Sequence, residues 1–481
     1  MRLLSSRASV EGLEWAGVPS WGSGTTATDL WWGVDVCPEV YTSRSEEPGS
    51  VGIGMNNAWW AASTVSQDYA VYADDSAQHR VRLVARPSDD EAAWWTMWPV
   101  VHTGEHGSTD RDGNALGYPC LALRSRGQGD VAVAFSWRGA TADSLWVAHG
   151  GPESGWDEVN VSDLALRPRV SQIGRHCLAM DEARNTWLVF SAFDGRAQRI
   201  TLAFRPAEGE WTAPTVLSGV VDFTEDGETY SFDSVDFPSV AVSGARDPNG
   251  PTVLVVYSVT YYDSAREFVR KRVLGRAARV ADVAFAATSG WRFGSFLEEV
   301  DVGGSGESRD PCVAAARNGT FVVVYSWPNS ESNILARHTA DPVSEDWSRP
   351  AKVCPSVLKD FTLGTQNFAS ISIDEVNQRC FVCWEDTREA VTRSIASSNG
   401  AVAELADLAS WTALGILTRD PIPRDVGTTS GVDLTDEEVA AVRNESTRYP
   451  CVVATAGTPR VFYRAVDDDH AVLRWRAGRW M

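Results

Sequence analysis

SRDPCVAAARNGTFVVVYSWPNSESNILARHTADPVSEDWSRP, Ser308 to Pro350, is the stretch that decides the fold. It divides into four strand-forming pieces. DPCVAA is a short apolar strand with a small residue, Cys312, directly after a proline. FVVVYS is a β-branched run that ends in an aromatic, Tyr325. A polar turn leads to ILARHT, and an acidic turn with Trp347 leads to the fourth piece. β-Branched and aromatic runs bounded by Gly, Pro, Asn and Asp read as strands and turns rather than as helix.

The same order of parts recurs along the chain. The small residue of the first strand is in turn Ala58, Cys120, Cys177, Ser239, Cys312, Ser370 and Cys451. The second strand ends at Tyr72, Phe135, Phe190, Tyr257, Tyr325, Trp384 and Tyr463. The tryptophan before the fourth strand is Trp94 or Trp95, then Trp156, Trp211, Trp291, Trp347, Trp411 and Trp480. YPCLAL, RHCLAM, FPSVAV, FASISI and YPCVVA match DPCVAA, while NAWWAA in the first copy matches least.

Seven four-stranded units, spaced by roughly 55–80 residues, imply an all-β fold, a seven-bladed β-propeller. One four-stranded sheet cannot bury both of its faces, whereas sheets packed radially cover one another and leave only short edges. The blades are expected at about 51–105, 115–165, 169–220, 235–300, 308–356, 366–417 and 447–481. First strands crowd towards the axis, which calls for small residues, so the four aligned cysteines read as packing residues on different blades. The seventh unit ends at the tryptophan where its fourth strand should begin. The segment from Ala8 to Ser20, within an N-terminal stretch of residues 1–50, is expected to supply that strand and close the ring. The longest connection, 417–448, carries a helix signal: Thr435 and Glu438 form a capping box.

Composition narrows the function. The 481 residues carry a net charge of −21, with 21 tryptophans and 39 glycines. A field of that sign repels nucleic acid and anionic membranes. The start, MRLLSSRASVEGLEW, has no apolar stretch of signal-peptide length, and no run reaches the ~18 apolar residues of a membrane helix. The expectation is a protein without membrane insertion, cytoplasmic or exported within an assembly by a route that needs no such signal.

The unit resembles the repeat of sialidase-like (BNR, or Asp-box) propellers. Trp384 to Arg388, WEDTR, is similar to the W-x-D-x-R turn of such repeats, and EDWSRP, EGEWTAP and ASWTAL are similar to the end of the Asp box. No copy keeps the full S-x-D-x-G-x-T-W, and sialidases usually have six blades where this chain has seven units. The resemblance therefore implies the fold more than the activity.

Residues just before each first strand are expected to face the funnel of a propeller. Here they are Tyr118, Arg175, Asp236 with Phe237, Arg309 with Asp310, and Arg448 with Tyr449. Sialidases hold the substrate carboxylate with three arginines, one in an R-I-P motif. The resemblance makes Arg309-Asp310-Pro311 and Arg448-Tyr449-Pro450 similar in form, with Arg175 one position out of register. Three guanidiniums can clamp a carboxylate through paired hydrogen bonds. In so acidic a chain, the same arginines can equally pair with acidic neighbours. Glycosidase chemistry also needs an acid and a nucleophile; Asp236, Asp310, Glu445 and Tyr449 form no recognisable set, and no catalytic residue is assigned.

Three acidic stretches, Asp110 to Asn114, Asp222 to Asp236 and Asp467 to His470, raise a calcium alternative and otherwise read as solvated loops. Cys380 and Cys383 lie three apart on one strand and so point to opposite faces, which disfavours a zinc or redox site. No metal or other cofactor is expected. The reading is a non-catalytic binding or assembly module that meets a glycan or protein partner through its funnel-face loops, possible as a subunit of a phage-like or cell-surface assembly. The alternatives are a sialidase-like hydrolase or polysaccharide lyase acting on an acidic sugar, and a purely structural spacer.

Overall fold

A computed structural model describes residues 13–15, 34–35, 59–63, 67–73, 81–87, 96–97, 116–123, 131–138, 143–151, 155–164, 173–193, 195, 197–219, 222–225, 227–265, 269–283, 300–303, 308–327, 333–344, 346–353, 366–386, 397–417, 446–455, 458–467 and 470–480. The helix expected at Thr435 lies outside them, as do Asp110 to Asn114. Among the described residues no helix is long and apolar enough to cross a membrane.

The chain is all-β and β-propeller-like, built of small antiparallel sheets laid down in chain order. Sheet I comprises Trp59–Ser63, Gln67–Ala73, Val81–Pro87 and Thr96–Met97. Sheet II comprises Leu116–Leu123, Val131–Arg138, Asp143–Gly151 and Gly155–Asn160, and sheet III comprises Ile173–Met180, Thr186–Phe193, Gln198–Arg205 and Thr215–Val216. Sheet IV has an extra edge strand: Phe223–Glu225, Glu228–Val242, Thr252–Tyr262, Val269–Arg279 and Val300–Asp301. Sheet V comprises Arg309–Ala315, Phe321–Trp327, Asn333–Thr339 and Ala351–Lys352, and sheet VI comprises Gln366–Asp374, Arg379–Asp386, Ser397–Glu404 and Thr412–Ile416. Sheet VII takes Ser446–Thr455, Thr458–Asp467 and His470–Trp480 from the end of the chain. Its outer edge is supplied by the beginning: Leu13 pairs with Trp480 and Trp15 with Gly478, and Val34–Asp35 adds a second short pairing against Trp475 and Arg474.

Alternation along the second strands explains why single sheets do not stand alone. In sheet IV, Val253, Val255 and Tyr257 pack against sheet III, while Leu254 and Val256 pack against sheet V. Successive side chains of a strand point to opposite faces, so one strand feeds two cores. The same holds in sheet VI, where Cys380 joins the core shared with sheet V and Cys383 the core shared with sheet VII. Each fully buried Val or Leu contributes about 1.5–3 kcal/mol relative to an exposed one. The turn tryptophans sit in these seams. Trp211 is buried in the core between sheets II and III, and Trp347 packs against the core between IV and V.

First strands pack on one another from each sheet to the next, and that of sheet VII packs on that of sheet I. Between those two sheets Arg460 and Asp68 form an ion pair at 2.8 Å, with side chains 2% and 0% exposed.

The small residues of the first strands prove to have a polar task that crowding alone does not require. Ser239 Oγ accepts the Val313 N–H at 3.1 Å, and Ser370 Oγ accepts the Val452 N–H at 3.2 Å. The thiols of Cys120, Cys177 and Cys312 stand at the same place, where the backbone N–H groups of Leu178, Val240 and Ile371 pull their raised pKa back down in part. In every case the N–H belongs to the residue just after the small residue of the following sheet. A first strand is a sheet edge, so this N–H has no strand partner. The neighbouring Ser supplies one and the neighbouring Cys places its thiol there, and that explains why the position takes small residues with a polar atom. Burial pushes the thiols of Cys177 and Cys312 up to about 11 and about 12, so they stay protonated and unreactive.

At the other end of these strands the connecting hairpins meet. Arg317 of sheet V lies between Glu182 of sheet III and Glu375 of sheet VI, with Nε–O distances of 3.0 and 3.2 Å. Glu182 also accepts the Ala245 N–H of sheet IV at 3.2 Å. Gly244 makes this possible, since a Cβ there would come within 2.7 Å of the Arg317 side chain.

Candidate functional site

At the end where the first strands begin, each of sheets II to VII carries a register shift in the same place. The shifts fall between Gly117 and Cys120, Ile173 and His176, Asp236 and Ser239, Arg309 and Cys312, Asn367 and Ser370, and Arg448 and Cys451. A β-bulge re-aims side chains. Three of these bulges hold a non-glycine residue in the left-handed region: Phe237 at φ 56°, Asp310 at φ 53° and Phe368 at φ 55°. Such a conformation costs on the order of 1–3 kcal/mol and persists where the surroundings over-determine it. The residues expected just before the first strands therefore sit within them, at the bulge. In sheet IV the strand begins well before, at Glu228.

The bulges of sheets III, IV and V converge on one polar cluster. Arg175 is bonded to the Asp236 carboxylate and lies 3.7 Å over the centre of the Phe237 ring. Ser191 Oγ donates to the other Asp236 oxygen at 2.9 Å. Arg175 is almost fully covered, whereas the Asp236 side chain is 38% exposed, so its carboxylate meets solvent. Arg309 Nε stands 3.7 Å from the carboxylate of Asp310. Asp310 is itself buried, and its backbone N–H donates to Ser258 Oγ at 2.9 Å. Burial raises the Asp310 pKa; the nearby charges of Arg309, Arg175 and Lys271 pull it down in part, and Asp236 pushes it up again.

Four of the seven residues expected at the site, Arg175, Asp236, Arg309 and Asp310, are thus brought together. Tyr118, Arg448 and Tyr449 occupy the equivalent bulge positions on sheets II and VII, and their side chains lie outside the described residues. Lys271, Ser191 and Ser258 escaped the sequence reading. They belong to second and third strands, which carry no repeat signal for function. Ser191 and Ser258 do share one legible feature: each directly follows the strand-two aromatic.

The acidic stretch from Asp222 folds into the hairpin of sheet IV formed by Phe223–Glu225 and Glu228–Val242, and several of its described carboxylates are engaged. Asp222 accepts the Phe232 N–H at 2.8 Å, Asp233 accepts from Ser234 at 2.9 Å, and Glu225 stands 3.9 Å from Arg270. Among the described residues no three His, Cys, Asp or Glu side chains are grouped so as to hold a metal ion.

No family model matches the sequence, and no curated protein matches it. Among solved structures, the chain is similar to a family PL25 polysaccharide lyase, an ulvan lyase: TM-score 0.49, 9% identity, 88% of this chain and 94% of that one. It is also similar to a Hadza microbial sialidase, with TM-score 0.41, 12% identity, and 82% and 73% of the two chains covered. A third is the Trypanosoma rangeli sialidase in complex with sialic acid, with TM-score 0.41, 9% identity, and 97% and 59% covered.

Proposed function

We propose that the chain is a seven-bladed β-propeller, closed by its N-terminal strand, whose bulge end is a mouth that binds a glycan or a protein partner without transforming it. The cyclic packing of first strands, the Arg460–Asp68 pair and the pairing of Leu13–Trp15 with the last strand support the closed ring. The binding face would carry Arg175, Asp236, Arg309 and Asp310, with Tyr118, Arg448 and Tyr449 at the matching positions of sheets II and VII.

One observation carries the non-catalytic reading. Arg175 is already bonded to Asp236 and stacked on Phe237. A guanidinium so engaged positions Asp236 rather than waiting to clamp a substrate carboxylate. What faces the solvent is then a fixed acceptor, the Asp236 carboxylate, suited to hydroxyls or amides of a ligand. A glycan array together with a panel of fluorogenic glycosides tests this. Binding without turnover, lost in Asp236→Ala, is the expected result. Hydrolysis that disappears in Arg448→Ala would replace this reading with the enzymatic one.

The buried Asp310 favours that second reading. A carboxyl held above its ordinary pKa next to a solvent-facing carboxylate is the division of labour that acid–base chemistry needs. Turnover that falls as pH rises through the Asp310 titration, and is absent in Asp310→Asn, would establish it.

A further inference from the structure

Asp236 meets solvent with 38% of its side chain, whereas the neighbouring Asp310 is buried. A carboxylate has about four acceptor sites, two on each oxygen. The fold uses one on each. Arg175 donates to Oδ2, and Ser191 Oγ donates to Oδ1 at 2.9 Å. Among the described residues these are the bonds of the Asp236 side chain. A pair of acceptor sites, one per oxygen, is left on a group that water reaches.

The carboxylate is also held still. Both donors come from sheet III: Arg175 from its first strand and Ser191, fully buried, from its second. The Phe237 ring backs the Arg175 guanidinium at 3.7 Å. Gly174 keeps the place of the Ser191 hydroxyl, since a Cβ there would stand 2.3 Å from Ser191 Oγ. Donors on both oxygens fix the rotation of the carboxylate as well as its position. A ligand with two donors at matching spacing then gains both bonds without first having to order the protein.

Two kinds of ligand offer such a pair: the guanidinium of an arginine-bearing partner, and adjacent hydroxyls on a sugar ring. The local charge decides between them. The charges that act on Asp310 are those of Arg309, Arg175 and Lys271, against Asp236. Even with Asp310 ionised, three cations face two carboxylates, a net positive spot in a chain of charge −21. A guanidinium would bring a further like charge to it, which is unfavourable, and a pair of hydroxyls would not.

We propose that Asp236, held by Arg175 and Ser191, is a diol-binding carboxylate, and that the mouth takes a glycan through two hydroxyls on adjacent ring carbons. The inference rests on the binding function proposed above and narrows its glycan-or-protein ligand to one class. Ser191 is a positioning residue, acting through Asp236.

The test uses the full chain and one array that carries oligosaccharides, amino-sugar oligosaccharides and arginine-rich peptides. The oligosaccharide that binds best is compared with analogues that each lack one ring hydroxyl, on wild type, Asp236→Asn and Ser191→Ala. Two analogues, deoxygenated at adjacent carbons, should bind wild type about tenfold or more weakly. Asp236→Asn, with one acceptor oxygen in place of two, should lose the discrimination against at least one of them. Ser191→Ala should shrink both penalties by about threefold or more; unchanged penalties would make Ser191 structural only. Strongest binding to an amino-sugar glycan or an arginine-rich peptide overturns the diol reading, as does a deoxy series in which no adjacent pair matters. The binding function then stands, provided Asp236→Ala abolishes binding. A wild-type chain silent on the whole array overturns both. If the variants fail to fold, the deoxy series on wild type decides alone.

Discussion

Ser239 and Ser370 each hold a single backbone N–H of the neighbouring sheet, and little else in the fold can replace them. Ser239→Ala leaves the buried Val313 N–H without its acceptor, which should cost about 1–3 kcal/mol in denaturant unfolding. Cys312→Ser keeps an acceptor of similar size and should be close to neutral by the same measurement. Asp310 gives a pH signature. Its folded pKa is raised above the usual 3.8, so the folded state holds this proton more tightly than the unfolded chain. The stabilisation from this group is complete below that ordinary value and is lost as pH climbs towards the raised one. Asp310→Asn should remove that component: unfolding curves of the two proteins should diverge in the variant's favour as pH rises above about 4. An identical pH dependence would show that Asp310 titrates normally. The small side chains of the repeat were legible as small, but their role as acceptors was not. It depends on the neighbouring strand lying about one hydrogen-bond length away, and no local spacing encodes that.

At the scale of the strand, the short N-terminal pairing is the element on which completion of sheet VII depends. Leu13–Trp15 completes an edge that the last strand would otherwise leave open. Deleting residues 1–20 removes these ladder bonds, at about 0.5–1.5 kcal/mol each, and should lower the thermal midpoint measurably; an unchanged midpoint would show that closure does not depend on this strand. This pairing was foreseeable because the seventh unit stops one strand short. Four-strand units were equally legible, since β-branched runs, aromatics and turn residues recur in a fixed order. The bulge was not. Pro119, Pro238, Pro311 and Pro450 mark its neighbourhood, but Arg175 lacks one and still joins the cluster. The fifth strand of sheet IV, Phe223–Glu225, was hidden because its sequence reads as an acidic loop. Its aromatic, Phe223, stacks on Tyr230 at 5.0 Å, a contact that becomes visible only when the hairpin is folded.

Across the whole molecule, the seam between sheets VII and I is distinguished by a buried charge pair. Arg460→Ala would remove the buried cation that Asp68 faces and should destabilise by about 3–5 kcal/mol, whereas an apolar pair replacing both partners should restore most of that loss. A double-mutant cycle in denaturant reads both outcomes. On the opposite side from the mouth, Arg317 reaches Glu182 and Glu375 from sheets separated by two others. These groups are partly exposed, so the gain in stability is modest and screened by salt. Arg317→Ala should speed hydrogen exchange of the hairpin-end amides of the first strands, with little change at the mouth. The consequence for motion is larger than the consequence for stability. One guanidinium of sheet V ties hairpin ends of sheets III and VI to its own, so the three ends are coupled and move together.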